Sequence, residues 1–179
     1  MTEQTAFPLL IVAALIAVFL ILWKKRRGAK ADAASDESWV LVDGSNVMHW
    51  RDNLPDLDTV RQVVQVLSDD GWVPGVVFDA NAGWKLFGRY LHDGDFARLL
   101  GLEKRQVLVV EKGTQADGFL LRTAREFGAR IVTSDRFRDW AEAHPEVKDP
   151  GFLIRGGMRD GRVWLTGLDA GHAAGKGAL

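Results

Sequence analysis

The sequence predicts an α/β fold, a mostly parallel sheet with helices on both faces, preceded by one transmembrane helix. Three observations carry this reading. Short apolar runs rich in β-branched residues alternate with stretches of helical periodicity, the pattern of a parallel sheet. Several of those runs end in an aspartate. Ahead of them, the 18 residues from Ala6 to Trp23 carry no charge at all.

The uncharged run comes first in the chain. A bilayer core asks for roughly 20 apolar residues in a helix, so AFPLLIVAALIAVFLILW is short but sufficient. Pro8 lies near its start, where the first helical N–H groups have no partner in any case. A cleaved signal peptide is the alternative, but such peptides carry basic residues before the apolar run and small residues at a cleavage site. Here the bases Lys24, Lys25, Arg26 and Arg27 follow the run. Basic residues beside a span stay on the cytoplasmic side, so the expected topology puts a short N-terminus (1–5) outside, a helix at 6–23, and all that follows in the cytoplasm. The absence of cysteine agrees, because small exported domains often use disulfides.

Residues 24–37 read as a charged, alanine-rich linker, whose reach is roughly 20 Å. The first 30 residues hold five bases and one acid, net +4, which against −1 for the whole chain leaves −5 for the rest. An acidic domain is no general nucleic-acid sponge, so any RNA contact needs local bases and bound cations. The domain itself is expected at 38–166, followed by a Gly/Ala-rich disordered tail at 167–179.

Within the domain, WVLVD (39–43), VVFD (76–79), QVLVV (106–110) and ARIVT (129–133) read as buried strands bounded by turn formers. Residues 56–70 place Leu57, Val60, Val64 and Leu67 on one helical face, and Gly71 suits the C-terminal cap. Residues 115–127 read as a second helix with Phe119, Leu120, Ala124 and Phe127 toward the core. A shorter helix is expected at 136–144, stopped by Pro145. Residues 152–155 and 162–165 suggest a closing hairpin around Asp160-Gly161.

Ligands of such folds gather beyond the carboxyl ends of the strands, where strand order reverses. The side chains expected there are acids. Asp43 closes the first strand, Asp79 the second and Asp135 the fourth. Asp139 follows Asp135 by one helical turn, and Asp117 lies in the first turn of the helix after the third strand. Singly, each could be a turn residue or a helix cap. Together, carboxylates held close repel unless protonated or joined by a cation. Hard oxygen ligands suit Mg²⁺ or Mn²⁺ rather than Zn²⁺, and the four histidines show no ligand spacing. Asn46, three residues after Asp43, could hold a metal-bound water or a phosphate, or merely satisfy the turn. Gly44 is expected to let the chain turn sharply.

VLVDGSNVM followed by QADGFLL and VTSDRFRDW resembles the NYN ribonuclease pattern of the PIN-like nucleases, in particular the regnase-like (Zc3h12a-like) branch. The resemblance runs in order from about Trp39 to Leu165. It implies a three-layer α/β/α fold in which Asp43, Asp117, Asp135 and Asp139 bind divalent metal and cut RNA, with single-stranded or loop regions as substrate. Asn46 matches the asparagine after the first acid. Ala116 stands where the family often has a second acid before Asp117. VVFDAN is closer to other NYN and PIN-like members, which makes Asp79 a replacement ligand or an acid behind the ligands.

Lys85, Arg89 and Arg98 fall in one helical stretch between the second and third strands, and Arg136 and Arg138 flank the last acids. Contact with phosphates is one reading for these bases and an ordinary solvated surface is the other. Trp50 and Trp84 are either base-stacking platforms or core. Three functions remain open at this level: a membrane-anchored metal-dependent endoribonuclease, a nuclease of the same fold acting on DNA, and a non-catalytic RNA- or protein-binding module. A homodimer is a further expected partner state.

Overall fold

The computed structural model describes residues 38–168. The expected span at 6–23, its linker and the tail from 169 lie outside the described residues. Among the described residues, no helix is long and apolar enough to cross a membrane.

Six strands form one sheet in the order β3-β2-β1-β4-β5-β6. They are β1 (Trp39–Asp43), β2 (Val73–Phe78), β3 (Val107–Val109), β4 (Arg130–Val132), β5 (Leu153–Arg159) and β6 (Arg162–Thr166). All neighbours run parallel except β5 and β6, which pair as an antiparallel hairpin. Its turn uses Asp160 and Gly161 at φ 50° and 73°, the left-handed pair that a two-residue hairpin requires.

Both faces of the sheet are buried, as a parallel sheet demands. On β1, Val40 and Val42 face one core while Leu41 faces the other. The first core takes Val60, Val63, Val64 and Leu67 of α2 (Leu57–Asp69), together with residues of α3 (Ala82–Phe87) and α4 (Asp93–Leu100). The second takes Leu120, Leu121 and Ala124 of α5 (Ala116–Phe127). A four-residue helix, α1 (Gly44–Val47), follows β1 directly.

Helix α2 forms where its periodicity puts it, with the Asp56 side chain accepting from the N–H of Asp58 at 3.0 Å as N-cap. Gly71, at φ 81°, takes the left-handed position just past its end.

Four expectations are corrected. Phe127 is 61% exposed rather than core, because the helix ends there; Leu121, fully buried, fills the inward face instead. The stretch from Ala82 to Leu100 is two helices, since Gly88 turns left-handed at φ 66° and ends the first. No α-helix forms at 136–144. The Asp135 carboxylate accepts from the N–H of Phe137 at 2.8 Å, and Phe137 takes a left-handed φ of 47° while its ring enters the second core. An N–H bond to a carboxylate two residues back is equally an N-cap, as at Asp56, so the helix is broken by Phe137, whose left-handed backbone cannot continue a right-handed turn. What remains is a 3₁₀ turn at Arg138–Trp140, and Pro145 opens a second at Pro145–Lys148. Finally, Asp79 lies just past β2, which starts three residues earlier than expected.

Candidate active site

Strand order reverses between β1 and β4, and the acids converge on that point. Asp43 ends β1 and is only 8% exposed. Its Oδ1 accepts from the backbone N–H of Asn46 at 3.1 Å, and its Oδ2 accepts from the Thr133 hydroxyl at 3.0 Å. Thr133 Oγ1 in turn accepts from the N–H of Asp135 at 3.0 Å. One hydroxyl, buried at the end of β4, therefore ties the loop of the second acid to the first.

Burial raises the Asp43 carboxyl to about 7; the Asn46 N–H and the Thr133 hydroxyl oppose that rise, and the charges of Asp117 and Asp135 add to it. Asp117, in the first turn of α5, is likewise raised by burial and by Asp135, while the Trp140 indole N–H favours its charged form. The Trp140 ring packs on Gly118 so closely that a Cβ there would have no room. Asp43, Asp117 and Asp135, separated by up to 92 residues in sequence, thus share one electrostatic site.

Asp135 and Asp139 line an open cavity of about 530 Å³ together with Asn46, Ser134, Arg136 and Arg138. Asp139 reaches it from the 3₁₀ turn, not from the same face of a helix. Arg155 Nη1 donates to the Asp135 carbonyl and braces the loop from β5. Asp79 is differently engaged. Its carboxylate accepts from the N–H of Asn81 at 2.7 Å and pairs with Lys85 Nζ at 3.2 Å. Lys85 therefore neutralises Asp79, and neither residue lines the cavity. Arg98 pairs with Asp95 at 3.5 Å on its own helix.

Thr133, Ser134 and Trp140 were given no role by the sequence. Thr133 and Ser134 stand inside the VTSD motif, so only their hydrogen bonds were hidden there. Trp50 is half-buried and hydrogen-bonded to Asn46, and Trp84 is 58% exposed.

Among the described residues, no group of three or more acids and histidines is disposed to hold a metal ion. The chemistry of the donor set nevertheless fits a hard divalent cation: it consists of oxygens only, and the charge of Asp135 opposes ionisation of both Asp43 and Asp117. A consequence follows for the chelated protein. A carboxyl raised from 3.8 to about 7 favours the folded state fully below pH 4, and that contribution is lost as pH rises through 7. In EDTA the domain should therefore melt at progressively lower temperature between pH 5 and 8, the loss reaching at most about 4 kcal/mol. Differential scanning calorimetry reads this directly, and a Tm that is flat or rising over that range contradicts it.

Solved structures share this architecture. Nuclear proteinaceous RNase P 2 (PRORP2) of Arabidopsis thaliana superposes with a TM-score of 0.57 at 17% identity, over 92% of this chain and 37% of that one. A second structure of nuclear protein-only RNase P 2 from the same plant gives 0.54 at 17% identity with the same coverage. At that identity the likeness is one of fold, and this chain spans little more than a third of the length of those proteins. No curated protein sequence matches. The family is decided by sequence: residues 36–150 match the Zc3h12a-like ribonuclease NYN domain, and the chain belongs to that family.

Proposed function

We propose that the protein is a membrane-anchored, divalent-metal-dependent endoribonuclease. The observation that carries this reading is Asp43, a buried carboxyl at the topological switch point, pushed up to about 7 with the charges of Asp117 and Asp135 among the causes. An acid kept in so unfavourable a place is the mark of a site rather than of a stabilising turn.

Asp43, Asp117, Asp135 and Asp139 would hold Mg²⁺ or Mn²⁺, with Asp79 and its partner Lys85 at the edge of the site. Bound there, the cation supplies charge neutralisation at the phosphate and a lowered pKa for water. The chain's own residues do the rest. Thr133 and the Asn46 N–H hold the Asp43 carboxylate in one orientation. Trp140 favours the ionised form of Asp117. Arg136 and Arg138, on the cavity wall, draw the phosphate backbone toward an otherwise acidic pocket. The local bases answer the objection raised by the domain's net negative charge.

Anchoring rests on the uncharged run at 6–23 and the basic cluster after it, and the same cluster argues for a cytoplasmic nuclease domain. The decisive experiment incubates the purified chain with matched single-stranded RNA and DNA in Mn²⁺ and in excess EDTA. Cleavage of RNA alone, abolished by EDTA, is expected. Equal cutting of both strands makes it a general nuclease, and cutting in EDTA removes the metal mechanism. For the anchor, a reporter that works only in the cytoplasm, fused after Leu179, should be active in membranes; recovery of a processed, exported species overturns the topology.

A further inference from the structure

Asn46 presents one amide oxygen to three donors. Trp50 Nε1 reaches it at 2.9 Å, the Ser134 N–H at 2.9 Å and the Ser134 hydroxyl at 2.8 Å. An indole N–H and a backbone N–H can only donate, so they fix which end of the carboxamide is oxygen. The NH₂ end is left over. It makes no hydrogen bond to another described residue, and Asn46 lines the same cavity as Arg136 and Arg138.

An NH₂ group cannot ligate a cation, and the oxygen that could is already engaged three times. The chemistry left to Asn46 is donation to an anion. We propose that Asn46 Nδ2, with Arg136 and Arg138, forms a donor subsite for a non-bridging phosphate oxygen of the RNA strand, and that Trp50 is the positioning residue that fixes it. The ligand class rests on the ribonuclease reading; the orientation of the amide does not.

Trp50 is well held for this task. Its ring packs against the first core, and β5 makes room for it at Gly156, where a Cβ would stand 2.6 Å from the ring edge. The indole thereby links the β5–β6 hairpin to Asn46, and Asn46 links α1 to the Ser134–Asp135 loop. The two Ser134 donors also tie that loop to Asn46, while Thr133 and Arg155 hold Asp135 independently of it.

The test uses the full chain with a short single-stranded RNA, reading Kd in Ca²⁺, then kcat, KM and the Mn²⁺ midpoint of activation. Asn46→Asp keeps an oxygen facing the three donors and replaces the NH₂ by a second oxygen, which repels phosphate. RNA binding should weaken about tenfold, the size expected for losing a hydrogen bond to a charged group, with the loss seen in KM. Trp50→Phe keeps the ring and removes the N–H; it should weaken binding several-fold, leave kcat within about twofold, and add nothing further in the Asn46→Asp background. Retained RNA affinity in Asn46→Asp overturns the subsite. Fully additive losses overturn the positioning role of Trp50. Should Trp50→Phe melt early, Asn46→Asp decides the subsite alone. A wild-type chain that binds RNA without cutting it defeats the ribonuclease reading and leaves the binding measurements to judge this one.

Discussion

Asp43→Asn should reduce RNA cleavage by at least about 10³-fold while the domain stays folded. The substitution preserves size and an oxygen for the Asn46 N–H, and it removes the charge that a cation needs. It also removes a carboxyl that burial and two neighbouring acids make costly to ionise. The chelated variant should therefore melt no lower than wild type at pH 8, and higher if the relief of charge outweighs any misfit of the new NH₂ at the Thr133 hydroxyl. Asp117→Asn and Asp135→Asn should behave alike, because they share the site. Asp79→Asn should lose much less activity, since Lys85 already neutralises that acid at 3.2 Å. A purely structural role for Asp43 makes the opposite prediction: a lower Tm and unchanged activity per folded molecule. Melting curves with single-turnover cleavage in Mn²⁺ separate the two.

Gly44→Ala is expected to damage the fold beside the site. Gly44 opens α1 with ordinary helical geometry and is absent from the positive-φ residues, so the turn does not require glycine. Space does. An added Cβ would stand 2.7 Å and 2.8 Å from Cε1 and Cδ1 of Phe78, and 2.9 Å from Val76 Cγ1. Phe78 is fully buried and stacked on Phe96 at a centroid distance of 4.1 Å, so the ring has nowhere to retreat. Overpacking of this kind costs about 1–3 kcal/mol, or roughly 5–10 °C in Tm for a domain of this size. The chain between Asp43 and Asn46 must also move, so activity per folded molecule should fall as well. A Gly44→Ala protein that melts with wild type would mean the core opens here more easily than its packing implies.

The sequence by itself determined the parallel sheet, the α2 face, the closing hairpin and the identity of the acids. These are properties of local pattern: β-branched runs buried on both faces, a 3.6-residue period, a two-residue turn of Asp160 and Gly161. It also carried the family, because the DGSN, QADG and VTSD segments keep their order. The membrane span and its topology are proposals that rest on sequence alone.

Only the tertiary structure decided where the acids sit and what they pair with. Nothing in the periodicity of 136–144 forbids a helix; it is broken at Phe137, which turns left-handed as its ring enters the second core. Asp79 looks equivalent to Asp43 in sequence, each following an apolar run, yet Lys85 pairs with one and none of the described bases pairs with the other. Gly44 reads as a turn residue and proves to be a space requirement set by Phe78, 34 residues away. Asn46 reads as a holder of metal-bound water, a phosphate contact or a turn former. Three donors from Trp50 and Ser134 fix which way its amide faces, because a carboxamide has only one oxygen, and those residues are set beside it by the fold.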